Sequence, residues 1–158
     1  MKTYIGADNG VSAYWTIMHS DGFIVQWHVP VKKELNYTKV KAWLNRIDAP
    51  KLHTLLKSIT ATEALVLLER PMVNPTRFKA SVSAIRALEA TLIVLENLKL
   101  PYRYVDSKEW QHSLLPGNVA SDELKEAANQ VARRLFPNTQ FKEGDSLLMA
   151  EWARRQNL

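Results

Sequence analysis

The chain has 158 residues and a mass of 18.1 kDa, the ordinary size of one domain, so we expect a single domain over residues 1–158. It contains no cysteine, which excludes a disulfide scaffold, a thiolate zinc site and a cysteine nucleophile. Its 21 basic and 16 acidic residues give a net charge of +5, which suits a polyanionic partner.

Neither a signal peptide nor a membrane span is expected. The first residues reach Asp8 without an apolar stretch, and the longest apolar runs, such as residues 64–68, are far too short to cross a bilayer. We therefore expect a cytoplasmic location.

The first third of the chain predicts an antiparallel meander of three strands. Two tight-turn signals, Asn9-Gly10 and Asp21-Gly22, separate segments that are rich in β-branched and aromatic residues. The predicted strands cover residues 3–7, 12–19 and 23–29. Asp8 therefore lies at the C-terminal end of the first strand.

The middle of the chain changes to a helical period. Apolar residues recur at the i, i+3, i+4, i+7 spacing over residues 37–47 and again over residues 51–59, which predicts two amphipathic helices. Residues 64–68 form a continuous apolar run, typical of a strand buried on both faces. This predicted strand ends at Glu69, just before Pro71.

The longest predicted helix, residues 77–98, carries two apolar stripes. One stripe contains Phe78, Ile85, Leu88, Leu92 and Leu95, and the other contains Ala80, Ala84, Ala87, Val94 and Leu98. A helix with two apolar stripes is expected to be covered on two sides, by its own sheet and by a partner chain.

The last third predicts a strand over residues 101–105 and a helical turn over residues 107–112. A helix over residues 122–135 follows, and a final helix starts at Gly144-Asp145. Strands joined by a meander and then alternating with helices indicate an α/β fold, with a mixed sheet flanked by helices.

Three acids are predicted to meet at one edge of this sheet. Asp8 and Glu69 each end a strand, and parallel neighbouring strands would bring them together at the edge where open α/β sheets bind ligands. Asp145 begins the final helix, which can cross to the same point. Taken singly, Asp8 is also typical of a turn and Asp145 of a helix N-terminus, so the combination carries the argument.

Such a cluster has a chemical consequence. Carboxylates held together without a basic partner repel one another, so a cation must neutralise them. Ligands that are all oxygen favour Mg²⁺ or Mn²⁺. On a basic chain this predicts two-metal hydrolysis of a phosphodiester, in which one ion activates water and the other stabilises the leaving oxygen.

Four short segments match a known family in order and spacing from residue 5 to about residue 153. They are residues 5–10 (IGADNG), 67–69 (LLE), 105–111 (VDSKEWQ) and 145–150 (DSLLMA). Through them the sequence resembles RuvC-like Holliday junction resolvases of the RNase H-like (retroviral integrase) superfamily, most closely the small bacteriophage versions.

The resemblance implies an RNase H-like fold with a mixed five-stranded sheet. It also implies a crossover junction endodeoxyribonuclease that uses Mg²⁺ or Mn²⁺ and cuts branched, four-way DNA by symmetric nicking. In the family the helix matching residues 77–98 helps to build a homodimer. A bacteriophage protein of this kind would act in the host cytoplasm.

The resemblance also implies roles for the acids. Asp8, Glu69 and Asp145 fall on catalytic, metal-binding positions of the family. The family usually has an Asp three residues before the last of these, where this chain has Lys142. The adjacent Glu143 can substitute as the fourth metal ligand.

Basic residues near the proposed edge are candidate phosphate contacts. Lys108 falls where the family has a basic residue near the scissile phosphate, which implies a catalytic role, and Lys125 matches a second such position. Lys108 is equally typical of a solvated helix face, and for Lys125 the solvated face is the favoured interpretation. Arg70, Arg77 and Lys79 follow Glu69 and can contact backbone phosphates near the cut, which gives affinity without sequence readout.

Two alternatives to a junction resolvase stay open. RNase H activity on an RNA–DNA hybrid would use a similar active site, although the long helix with two stripes favours a dimeric resolvase. A non-catalytic DNA junction-binding module would use the same fold. The retained carboxylates count against that module, because acids without a metal repel phosphate.

Overall fold

The computed structural model describes residues 2–36, 38–59 and 61–158 of the chain. The strands are β1 (Thr3–Ala7), β2 (Tyr14–His19), β3 (Ile24–His28), β4 (Val31–Leu35), β5 (Trp43–Ile47), β6 (Ala64–Glu69) and β7 (Tyr102–Val105). The α-helices are α1 (Ala49–Leu56), α2 (Phe78–Asn97), α3 (Ser107–Leu114), α4 (Leu124–Leu135) and α5 (Gly144–Arg155). Short 3₁₀ turns at Ala61–Glu63 and Pro75–Arg77 precede β6 and α2.

Five of these strands form a mixed sheet in the order β3-β2-β1-β6-β7. The first three strands are the antiparallel meander that the turn signals predict, and β6 and β7 extend it in parallel. This arrangement confirms the predicted α/β fold class. The central strand β1 is buried along its whole length, because helices cover both faces of the sheet.

The alternation of side chains along β1 separates two apolar layers. Ile5 packs in the layer that contains Leu52 of α1 and Leu95 of α2. Its neighbour Tyr4 packs in the opposite layer, which is built from α3, α4 and α5 and includes Trp110. The sheet is thus a rigid platform whose carboxyl edge carries the acidic residues described below. None of the described helices is long and apolar enough to cross a membrane.

The helix predicted over residues 37–47 is wrong. Tyr37 lies outside the described residues, and Trp43–Ile47 is strand β5, paired antiparallel with β4 in a separate two-stranded sheet. The apolar spacing is misleading because these residues do not face a core. Val40 is 80% exposed and Trp43 is 67% exposed, and of the four apolar residues with helical spacing Ile47 alone is buried. The second predicted helix is α1, which ends three residues earlier than expected.

The prediction of which α2 residues form each apolar stripe is partly wrong. Ala87 and Val94, expected to face a partner, pack against the chain's own sheet, whereas Ala80 is exposed. The exposed apolar side chains are instead Phe78, Ile85 and Ile93, at 73%, 47% and 49% exposure. At about 100° per residue these three fall within an arc of roughly 80°. Two exposed glutamates, Glu89 and Glu96, fall within the same arc, so the exposed side of α2 carries apolar groups interleaved with acids.

Candidate active site

Two of the predicted acids are neighbours at the carboxyl edge of the sheet. Ala7 of β1 pairs with Leu68 of β6 in parallel register, so the next residues, Asp8 and Glu69, emerge side by side. Their carboxyl groups share a hydrogen bond. The backbone of Asp8 is held in place because the Trp15 indole N–H donates to its carbonyl oxygen at 3.1 Å.

Helix α5 brings the third acid to this edge by crossing directly over β1. A Cβ atom on Gly6 would lie 1.8 Å from the carbonyl oxygen of Ser146, so only glycine permits this approach. The hydroxyls of Ser146 and Thr16 are 2.8 Å apart and fix the helix against β2. Asp145, one residue earlier, is thereby placed close enough to Asp8 for their charges to interact.

Glu143 is the fourth carboxylate of the cluster. It is buried, with 7% of its surface exposed, and its charge acts on Asp8, Glu69 and Asp145. Its carboxyl group also shares a hydrogen bond with that of Asp145. The structure therefore places the four residues proposed from the sequence as metal ligands at one edge of the sheet, near enough for their charges to interact.

The loop before α5 is clamped from β3 by Gln26. The Gln26 amide nitrogen donates to the Glu143 carbonyl oxygen at 2.7 Å and to the Ser146 hydroxyl at 3.1 Å. Its amide oxygen accepts from the backbone N–H groups of Lys142 and Glu143 at 2.7 and 3.2 Å. From α4, Asn129 accepts the Gly144 N–H at 2.8 Å.

Burial and mutual repulsion shift the titration of this cluster upward. Burial, followed by the hydrogen bond and charge of Glu69, raises the pKa of Asp8 to about 9. Burial and the charges of Glu143 and Asp8 raise the pKa of Asp145 to about 7, although Lys125 opposes the shift. Burial is also the main reason that the pKa of Glu69 lies above its ordinary value. These carboxyls therefore resist ionising together unless a cation is present to neutralise them.

Lys125 is the one predicted basic residue that an ion pair joins to this cluster. Its ammonium nitrogen lies 3.7 Å from a carboxylate oxygen of Glu143, although the lysine side chain is 69% exposed. One lysine cannot neutralise four carboxyl groups when all of them are ionised.

The other predicted basic residues surround the edge. Arg70 lies 3.5 Å from Asp106 and 5.7 Å from the centre of the Tyr104 ring. Lys108, in the first turn of α3, is exposed, and so are Arg77 and Lys79 at the start of α2. These side chains are available to a ligand that approaches the carboxyl edge.

The donor set fits a divalent cation that prefers oxygen. All four groups of the cluster are carboxyls, with no thiol or imidazole among them, which is the ligand chemistry of Mg²⁺ or Mn²⁺. Within the described part of the chain, no group of three or more acid or histidine side chains stands in an arrangement that could hold a metal ion. The carboxyls stand instead as two hydrogen-bonded pairs, Asp8 with Glu69 and Glu143 with Asp145.

Sequence reasoning missed the residues that position the acids. Besides Gln26 they include Asn9, whose amide nitrogen donates to the carbonyl oxygen of Ala84 at 3.1 Å and ties the loop after β1 to α2. A polar residue inside the apolar strand β3 is a signal that could have pointed to Gln26. Its partners lie 116–120 residues away, so the sequence did not reveal them.

Two solved structures share this arrangement of strands and helices. Thermus thermophilus RuvC in complex with a Holliday junction substrate superposes with a TM-score of 0.61 at 12% sequence identity, covering 99% of this chain and 95% of that chain. The chain has the fold of RuvC. A second Thermus thermophilus RuvC structure gives a TM-score of 0.54 at 13% identity, covering 98% of this chain and 96% of that one. No family model and no curated protein matches the sequence, so the likeness to RuvC concerns the fold.

Proposed function

We propose that the protein is a metal-dependent endonuclease that resolves four-way and other branched DNA by symmetric nicking, a crossover junction endodeoxyribonuclease. The observation that carries the proposal is the cluster of Asp8, Glu69, Glu143 and Asp145 at the carboxyl edge of a RuvC-like sheet. Four carboxyls that repel one another when ionised favour a cation there, and the net charge of +5 favours a polyanionic substrate.

The four carboxyls have distinct tasks in this proposal. Asp8, Glu69 and Asp145 hold the metal at the edge of the sheet, and Glu143 completes the ligand set in place of the acid that Lys142 replaces. A bound Mg²⁺ or Mn²⁺ would supply Lewis-acid activation of water and of the scissile phosphate, with two ions sharing the task. Gly6 permits the close approach of α5 to the sheet, and Gln26 holds the loop before α5, so together they keep the acids near one another.

Basic residues around the edge would hold the DNA backbone. Lys125 is poised between Glu143 and solvent, where it can exchange its carboxylate partner for a phosphate. Lys108 in the first turn of α3 would lie near the scissile phosphate, and Arg70, Arg77 and Lys79 would bind flanking phosphates. Such contacts give affinity that is sensitive to salt and insensitive to sequence.

Symmetric nicking needs two active sites, so we propose a homodimer through α2. The exposed face formed by Phe78, Ile85 and Ile93 supports this proposal, because exposed apolar groups on one helical face commonly mark an interface. We further propose one nuclease domain over residues 1–158, a relationship to the small bacteriophage resolvases through the four matching segments, and a location in the host cytoplasm.

Cleavage of a synthetic four-way junction tests the proposal. We expect paired nicks in Mg²⁺ or Mn²⁺ and none in EDTA, with little cutting of an unbranched duplex of the same sequence. Asp8→Asn should abolish cutting and leave junction binding intact. Asp21→Asn, an exposed aspartate in the turn at the opposite edge, is the matched control and should cut like the wild type.

The same assay separates the alternatives. Preferential cutting of an RNA–DNA hybrid would identify an RNase H. Tight junction binding without cutting in either metal would identify a non-catalytic module. If unlabelled linear duplex displaces the junction at equal concentration, the protein is a general nuclease without structure selectivity.

A further inference from the structure

Strands β4 and β5 form a two-stranded sheet that is separate from the main sheet, and β5 packs against α2. We call residues 31–47 the basic hairpin. Its base is anchored, because Ile47 is buried and pairs with Val31. The backbone N–H of Asp48 donates to the carbonyl oxygen of Pro30 at 2.8 Å and closes the two ends. Beyond this base Lys33, Leu35 and Trp43 are exposed, whereas Glu34 and Leu44 are half-buried.

The basic hairpin holds most of the chain's net charge. It contains five basic residues and one acid, a net +4, whereas the other 141 residues carry 16 basic and 15 acidic residues. The single acid, Glu34, is matched by Arg46, whose guanidinium donates to it at 2.6 Å. The four exposed lysines that remain are Lys32, Lys33, Lys39 and Lys41.

Exposed apolar groups share one face of the hairpin with Lys33, whereas Lys32, its neighbour along β4, belongs to the other face. Leu35 and Trp43 are directly opposite one another in the register, so they share one face of the hairpin, and they are 48% and 67% exposed. Val40, at 80% exposure, lies in the loop between the two strands. A flat indole among lysines is the combination with which proteins hold unpaired bases and their phosphates.

The hairpin leaves the sheet at the same edge as the acids. Ala7 pairs with Trp15, and Trp15 pairs with Trp27 of β3, so β3 ends at the edge where Asp8 begins. The hairpin follows two residues after β3. Two strand spacings separate β3 from β1, about 10 Å in all, which is less than the width of about 12 Å of a DNA major groove.

We propose that the basic hairpin is a second DNA-binding surface that grips the branch point while the acids cut, with Trp43 stacking on an unpaired base and Lys33, Lys39 and Lys41 binding phosphates. The inference rests on the proposed function. A second copy of the chain is a poor occupant, because two hairpins of net +4 repel one another. An anionic membrane fits the charge, but it does not account for the position beside the carboxylate cluster.

Binding in EDTA, where no strand is cut, tests the lysines. Lys33→Gln with Lys39→Gln should lower the slope of log affinity against log salt by about 2 on a four-way junction, since each lost phosphate contact removes roughly 0.9. The matched control is Lys57→Gln with Lys99→Gln, which removes two exposed lysines from the opposite edge and should leave the slope unchanged.

A second pair of variants tests the indole. Trp43→Ala should weaken junction binding roughly 5- to 150-fold, the range for loss of one stacked base, whereas Trp43→Phe keeps a ring and should stay near the wild type. Phe23→Ala, at 59% exposure in the turn of the opposite edge, should have no effect. DNA should quench the tryptophan fluorescence of the wild type more than that of Trp43→Phe. Thermal melting of each variant checks that it is folded.

Three results would overturn the inference. Variants that bind a junction with the wild-type affinity and salt slope would exclude a role in DNA binding. A fall in the mass of Trp43→Ala by light scattering would assign the hairpin to a protein interface. Binding to vesicles of anionic lipid that is lost in the lysine variants, with DNA binding unaffected, would assign it to a membrane. Failure of the wild type to bind any branched DNA would defeat the proposed function as well, whereas wild-type cutting by all hairpin variants would defeat only this inference.

Discussion

Replacing Gly6 by alanine should displace the acid on α5 and nearly abolish cleavage. The added Cβ would lie 1.8 Å from the Ser146 carbonyl oxygen, so the helix must shift by about 1.2 Å to reach even the 3.0 Å below which real Cβ contacts essentially never fall. The obstacle is backbone, so no side-chain rotation relieves it. Overpacking of this kind costs about 3 kcal/mol, and the melting temperature should fall by roughly 6–12 °C for a chain of this length. A shift of about 1 Å in a catalytic group lowers the rate about 100-fold.

Thermal melting and junction cleavage measure the two effects. Gly117→Ala is the matched control, because a Cβ atom there meets nothing within 4 Å and the variant should melt and cut like the wild type. Junction binding in EDTA should survive in Gly6→Ala, since the basic residues around the edge are untouched. Wild-type melting and cleavage by Gly6→Ala would refute the argument that close packing of α5 on β1 positions Asp145.

Three further predictions follow from the site and from α2. Metal-free protein should lose stability as the pH rises from 5 to 9, because the raised pKa values of Asp8 (about 9) and Asp145 (about 7) make the folded state bind more protons than the unfolded state. Thermal melting in EDTA over this pH range measures the loss, and Asp8→Asn should make the melting temperature depend less on pH. Gln26→Leu should lower the cleavage rate about 100-fold without weakening junction binding in EDTA, because it frees the loop that carries Glu143. Ile85→Glu should reduce the mass measured by light scattering from twice 18.1 kDa to 18.1 kDa, and an unchanged mass would exclude α2 as the interface.

Local signals in the sequence were enough to predict the strands of the main sheet to within two residues. The turn signals at Asn9-Gly10 and Asp21-Gly22 and the apolar run before Glu69 are local, although β2 begins at Tyr14 and not at residue 12, and Asp8 and Glu69 lie at the predicted strand ends. Their meeting at one edge follows from the parallel pairing of β1 and β6. The catalytic roles of these acids stay predictions.

The surroundings of the acids depend on contacts between distant parts of the chain. Burial of Glu143, the clamp formed by Gln26 and the approach of α5 over Gly6 depend on contacts between residues more than 100 positions apart, which no local spacing encodes. The basic hairpin is a second case in which local spacing does not predict the structure. Its apolar residues have helical spacing, yet β5 pairs with β4 and packs on α2, and Val40 and Trp43 stay exposed. Periodicity predicts structure only where the apolar face is buried, and burial is a property of the whole fold.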